Sequence, residues 1–346
     1  MPRRTPHGST GFTLLPVVLA MSLIGAIAFL LNRDNGFNAN LIGAQSDLER
    51  ARYAAEAGLQ AVNYTIQALG CAGSYPILSL PVTDSNFGGA AYSAYANNSS
   101  GSPLTLTSIG TYNGASVTLT KTNAYVYQPF LPGITLPWVT QPDSAAGNDA
   151  DVDQSKPTEN DGGSTNLKIR DGQQQTLIAF NLSPLPAGSR IIRWYPLLGG
   201  LQPGATISLY LETNDAANNF SVQLITHGWV AGTRTGSVPT LASPGVTWDR
   251  WDGLSPNTWP QGPGNGYDPR TLIVVPPPPG AGWIDIDVTD AAVGWTSGVY
   301  PNYGVWLVPF TNARNYRFTS SEEATQTTRR PKFTAYYLLP CGATAP

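Results

Sequence analysis

Gly11 to Leu31 reads GFTLLPVVLAMSLIGAIAFLL, and the leader before it reads MPRRTPHGST. From Phe12 to Leu31, 20 consecutive residues carry no charge. A helix of that length covers a hydrocarbon core about 30 Å thick. Pro16 falls in the first turn, where a missing N–H costs little. Arg3, Arg4 and the amino terminus make the leader basic, so the positive-inside rule keeps it cytoplasmic and exports the rest. The expectation is a single transmembrane helix over 12–31, in a bacterial inner membrane, with the C-terminus outside the cytoplasm. A secretory signal peptide also has a basic start and an apolar run, but it ends at a small-residue cleavage site. This run ends at Leu30-Leu31-Asn32-Arg33, with no A-x-A pattern.

A hydrophilic leader ending in Gly11, followed by Phe12-Thr13-Leu14 and an apolar helix, resembles the class III signal of type IV prepilins. The resemblance implies that a prepilin peptidase cuts between Gly11 and Phe12 and methylates the new amino-terminal Phe12. The other reading is a plain membrane anchor. The family usually carries Glu at the fifth mature position, where this chain has Pro16. That Glu neutralises a neighbouring subunit's amino terminus in an apolar filament core, where a bare charge is costly. Its absence fits a minor or tip subunit better than a repeated shaft subunit.

The chain has 346 residues, enough for two domains. Charged residues make up only 12%, while Gly (36) and Pro (30) are abundant, which suits a β-rich, loop-rich exported protein. The net charge of −3 leaves no electrostatic footprint for nucleic acid. Cys71 and Cys341 would both lie in an oxidising compartment, where an even pair favours a disulfide over two separate thiols.

After the apolar run, Asn32 to Asn40 is polar and contains Gly36, which should interrupt or loosen the helix. Leu48, Ala55, Leu59, Val62, Ile66 and Leu69 then fall on one helical face, with a stop near Gly70. From Leu104 the period changes to two, and Asn113-Gly114 marks the turn of a hairpin. The segment Arg50-Ala-Arg-Tyr-Ala-Ala-Glu-Ala-Gly-Leu59 and the run SIGTYNGAS resemble minor pilins with the PilX-type N-terminus. Phe130 to Ser164 is rich in Pro, Gly, Asp, Asn and Ser and reads as a linker, 131–144, merging into the first loop of a second domain.

From Asn166 short β-rich runs recur between Gly/Pro/Asn loops, the pattern of an antiparallel sandwich or jelly roll. In order, DADVD (149–153), NLKIR, LIAFNLSPLPAGSRI, ATISLYL, IDIDVTDAAVGWTSG, PNYGVWL, FTSSE and RPKF resemble DNRLRE-type domains, β-sandwiches related to carbohydrate-binding modules. The expected organisation is leader 1–11, transmembrane helix 12–31, pilin-like helix and small sheet 32–130, and a sandwich over 145–341. The expected fold class is α+β: a long transmembrane and amphipathic helix with a small antiparallel sheet, then the antiparallel jelly-roll-like sandwich.

No catalytic constellation is visible. His7 lies in the leader, so His227 is the single histidine of the processed chain, and there is no P-loop and no G-x-G-x-x-G after a strand. Asp285 and Asp287 share one strand face and read as solvated or structural. Asp149, Asp151 and Asp153 repeat as in the opening of calcium loops. Gln154 stands where an EF-hand needs Gly, which leaves a non-EF calcium site or a solvated acidic turn. Trp248, Trp251 and Trp259 lie in one Gly/Pro-rich loop and could stack on surface glycans or anchor the loop. Trp229, Trp283, Trp295 and Trp306 read as core.

The expected function is non-enzymatic: a structural or adhesive minor or tip subunit of a type IV pilus-like surface filament, displaying the sandwich for attachment. Its partners would be other pilins through the N-terminal helix, the prepilin peptidase, the inner membrane before assembly and surface glycans. The alternative is a pseudopilin-type component of a secretion or DNA-uptake machine, with the sandwich as scaffold.

Overall fold

A computed structural model describes residues 14–129, 137–170, 173–195, 200–214, 219–270, 273–277, 280–310 and 315–346. The expected processing site, Gly11 and Phe12, lies outside these residues. The chain divides into two compact units, Met1–Ala124 and Tyr125–Pro346.

In the first unit, helix α1 (Leu14–Leu69, 56 residues) lies against one antiparallel sheet. The sheet order is β1-β2-β3-β4, from β1 (Val82–Phe87), β2 (Ala90–Ala96), β3 (Leu104–Tyr112) and β4 (Ala115–Ala124). The helix runs unbroken through Gly36, where the sequence predicts a break. One interior glycine costs about 1 kcal/mol, and helix propagation outweighs it. The end falls at Gly70, whose φ of +61° takes the left-handed conformation glycine adopts without strain.

Helix and sheet meet through small residues. Ala51, Ala54, Ala55, Val62 and Ile66 of α1 are fully buried. The facing side of β3 alternates Leu104, Leu106, Ser108 and Gly110, all buried. A Cβ on Gly110 would lie 2.0 Å from the Ala51 carbonyl oxygen, and one on Gly58 would lie 2.2 Å from Ser108 Oγ. Two glycines therefore set how closely the helix approaches the sheet. The outer members of the expected stripe, Leu48 and Leu69, are exposed.

The expected transmembrane helix requires correction. Among the described residues, no helix is long and apolar enough to cross a membrane. The single-pass inner-membrane anchor, and the localisation built on it, fall with this finding. So does the helix-led α+β class: the chain is predominantly β, built from several antiparallel sheets.

The second unit contains β5 (Trp138–Thr140), β6 (Asn148–Asp153), β7 (Asn166–Ile169), β8 (Gln174–Ala179), β9 (Arg190–Ile191), β10 (Ala205–Asn214) and β11 (Phe220–Leu224). It continues with β12 (Ile273–Val275), β13 (Gly282–Asp287), helix α2 (Thr289–Ser297), β14 (Val305–Pro309), β15 (Tyr316–Thr319), β16 (Lys332–Ala335) and β17 (Tyr337–Leu338). One sheet has the order β5-β16-β10-β15-β7, with β13 also paired to β10, and another has the order β12-β11-β14-β8-β6. Strand β5 falls inside the stretch read as linker.

The two sheets enclose a core to which one gives Leu167, Ile207, Leu209, Phe318 and Phe333 and the other Ile178, Phe220, Val222, Val305 and Leu307. Phe220 meets Tyr316 and Phe318 edge-on, at centroid distances of 5.3 and 6.1 Å. Such pairs add about 0.5–1.5 kcal/mol each beyond their buried area. Cys71 and Cys341 are disulfide-bonded to one another.

Candidate functional site

The tryptophan-rich loop builds a second core on the outer face of the β8–β14 sheet. Ala150, Val152, Leu177, Ile225, Val246, Trp259 and Trp306 are buried there, with Trp229, Trp248 and Trp251 packed around them. Trp259 is 2% exposed, lies 4.9 Å from Trp306 centroid to centroid, and donates its Nε1–H to the Thr247 carbonyl. Trp248 fits against Gly264, and Trp251 stacks on His227 at 4.0 Å. The three rings proposed as a glycan platform thus hold the loop in place, and Trp259 offers no free face. His227 Nδ1 lies 2.7 Å from the Gly228 carbonyl oxygen. Trp283, read as core, is 40% exposed, with Lys332 Nζ 3.9 Å over its ring.

A cavity of about 540 Å³ opens where β8 ends. Phe180, Leu182, Leu185 and Trp295 supply its apolar walls, and Asn148, Asn181 and Asn302 place amides on it. Asn302 donates to the Phe180 carbonyl at 2.8 Å and accepts from the Gly304 N–H, so its position is fixed. None of its lining residues is charged. An indole wall with fixed amides and no acid or base suits the binding of a neutral polar ligand rather than catalysis.

Two groups of carboxylates in this unit contrast sharply. At the β13–α2 junction, Asp287 accepts the Thr289 N–H at 3.0 Å and its hydroxyl at 2.6 Å, and pairs with Arg193. Burial alone would raise the Asp287 pKa, but the bonds from Thr289 and Arg193 outweigh it and hold the carboxyl below its usual range. Asp285 accepts a bond from the Ser208 hydroxyl. These two are structural, as their positions on one strand face imply.

The second group is Asp149, Asp151 and Asp153 on β6. The sequence leaves a non-EF calcium site or a solvated acidic turn here, and the three form an edge strand with their Cβ atoms on one side. Asp153 is well partnered, accepting from Ser155 and from Gln174 Nε2. Asp149 is 4% exposed and Asp151 is 0% exposed. Burial pushes the Asp149 carboxyl up to about 7, with hydrogen bonding from Ser321 pulling it back, and the Asp151 carboxyl up to about 8. Among the described residues, no three His, Cys, Asp or Glu side chains converge as metal ligands, so the Asp149–Asp151–Asp153 triad is not one. The strict Asp-x-Asp-x-Asp period of two was the available sign of a strand with an acidic face.

No protein-family model matches this chain, and no curated protein matches it.

Proposed function

We infer that this protein is a non-catalytic structural and attachment protein, a minor or tip subunit of a type IV pilus-like filament that carries a β-sandwich as its attachment module. One observation carries the reading. Every residue from Val18 to Leu30 is exposed, and the large apolar ones, including Met21 (71%), Ile24 (66%) and Phe29 (69%), point in all directions around α1. A helix apolar all round is stable only when surrounded. Among the described residues no helix is long and apolar enough to cross a bilayer, and the apolar helices of other subunits would supply that surrounding. The prepilin-like leader ending at Gly11 supports the same reading, and the uncharged cavity beside Trp295 and Asn302 fits attachment to a neutral, hydroxyl-rich ligand such as a surface glycan.

The test is the amino-terminal residue and mass of the chain recovered from a filament preparation. A chain beginning at methylated Phe12 in that fraction is the expected result. An intact leader, with no chain in the filament fraction, would overturn the reading.

A further inference from the structure

One wall of the cavity, from Leu182 to Ser189, is the loop that joins β8 to β9. Its first half is tied to the sandwich itself: Asn302 holds the Phe180 carbonyl, and Leu185 is buried in the core between the sheets. Beyond Leu185 the wall has two other supports. At Gly188, whose φ is +80°, a Cβ would lie 2.2 Å from a Tyr125 ring carbon, so that ring lies directly against the backbone of the wall. Strand β9 follows Ser189 and pairs with β17, Ile191 opposite Tyr337 and Arg190 opposite Leu338. The two form a separate two-stranded sheet, and so small a sheet is marginal unless its ends are held.

Both supports are the places where the first unit is covalently joined to the second. Tyr125 is the first residue of the second unit, bonded through its peptide to Ala124 of the first. Leu338 stands three residues before Cys341, whose disulfide leads to Cys71, just past the end of α1. The two arrivals are also bonded to one another. The Cys341 N–H donates to the Val126 carbonyl at 2.8 Å, the Gln128 N–H to the Leu339 carbonyl at 2.8 Å, and Gln128 Nε2 to the Ala343 carbonyl at 2.9 Å. We propose that the cavity is regulated from this junction: the Cys71–Cys341 disulfide, acting through β17 and β9, holds Pro186–Ser189 in the ligand-binding shape, and its loss loosens that wall. Tension along α1 would reach the wall by the same two links. The regulatory role rests on the reading of the cavity as the attachment site.

Hydrogen–deuterium exchange on the full-length protein, compared with a variant carrying Cys71→Ser and Cys341→Ser, tests the coupling. The expected result is exchange about tenfold faster at the amides of Ala187–Ile192, with β8 and β14 unchanged. Gly188→Ala, which pushes on the Tyr125 ring and leaves the disulfide intact, should loosen the same amides. A rise confined to 70–72 and 339–343, or one spread equally over both sheets of the sandwich, would overturn the coupling. Failure of the attachment reading would look different: the exchange difference stands, while an array of neutral glycans binds neither chain. If both hold, the intact chain binds the array and the double-serine variant binds it less.

Discussion

The two ends of α1 belong to one helix but live in opposite surroundings. Between Ala51 and Ile66 its inward residues are small and fully buried against β3. Between Val18 and Leu30 its residues are larger, more apolar and exposed throughout. Hydrophobicity alone would bury the second stretch and expose the first. What decides is shape: alanine and glycine let a helix lie flat on a sheet, and the chain supplies a sheet only at that end. On the proposed reading, the exposed end is the surface that meets other subunits.

The largest effect should come from Gly110→Val, which drives a side chain into the backbone at Ala51 and Ala55. Backbone cannot yield as a side chain tip does, so the loss should reach about 4 kcal/mol or more and unfold the first unit. Loss of the helical signal in circular dichroism would show it. Next, Ile66→Ala leaves a cavity under the helix and should cost about 2–5 kcal/mol in chemical denaturation. Gly70→Ala, at a φ of +61°, should cost about 1–2 kcal/mol in the same measurement and fray the helix end. Smallest of all, Leu23→Ser with Ile24→Ser should change the stability of the first unit by less than about 0.5 kcal/mol, yet remove the chain from filament fractions. A large stability loss from that pair would erase the contrast between the two ends.

Much of the buried end was legible beforehand. Gly70 ends the helix because a left-handed residue is needed there. Asn113 and Gly114, at φ of 46° and 85°, make the hairpin turn that the dipeptide announces. Strand β2, AAYSAYA, was not legible: it lacks β-branched residues and is a strand only through pairing with β1 and β3. The helix break at Gly36 failed because a local cost of about 1 kcal/mol was set against a cooperative element. The membrane reading rested on 20 uncharged residues over 12–31, whereas among the described residues no helix is long and apolar enough to cross a membrane. In the sandwich, the spacing of Asp149, Asp151 and Asp153 suggests a calcium loop or an acidic turn, although the same period of two describes a strand. The inward aim of Asp149 and Asp151 follows from register with β8, which connects residues about 25 positions apart and leaves no local trace. The loop tryptophans were open for a related reason: a ring in a loop can face solvent or the sheet beneath, and for Trp259 the neighbours Trp306 and Leu177 show which.

The central claim is that residues 18–30 contact other helices. Replacing Phe29 with a photoreactive phenylalanine analogue in the full-length protein, then irradiating cells and mapping the adducts by mass spectrometry, tests it directly. The account predicts a cross-link to the apolar N-terminal helix of another filament subunit. Adducts to phospholipid alone, or none at all, would contradict it.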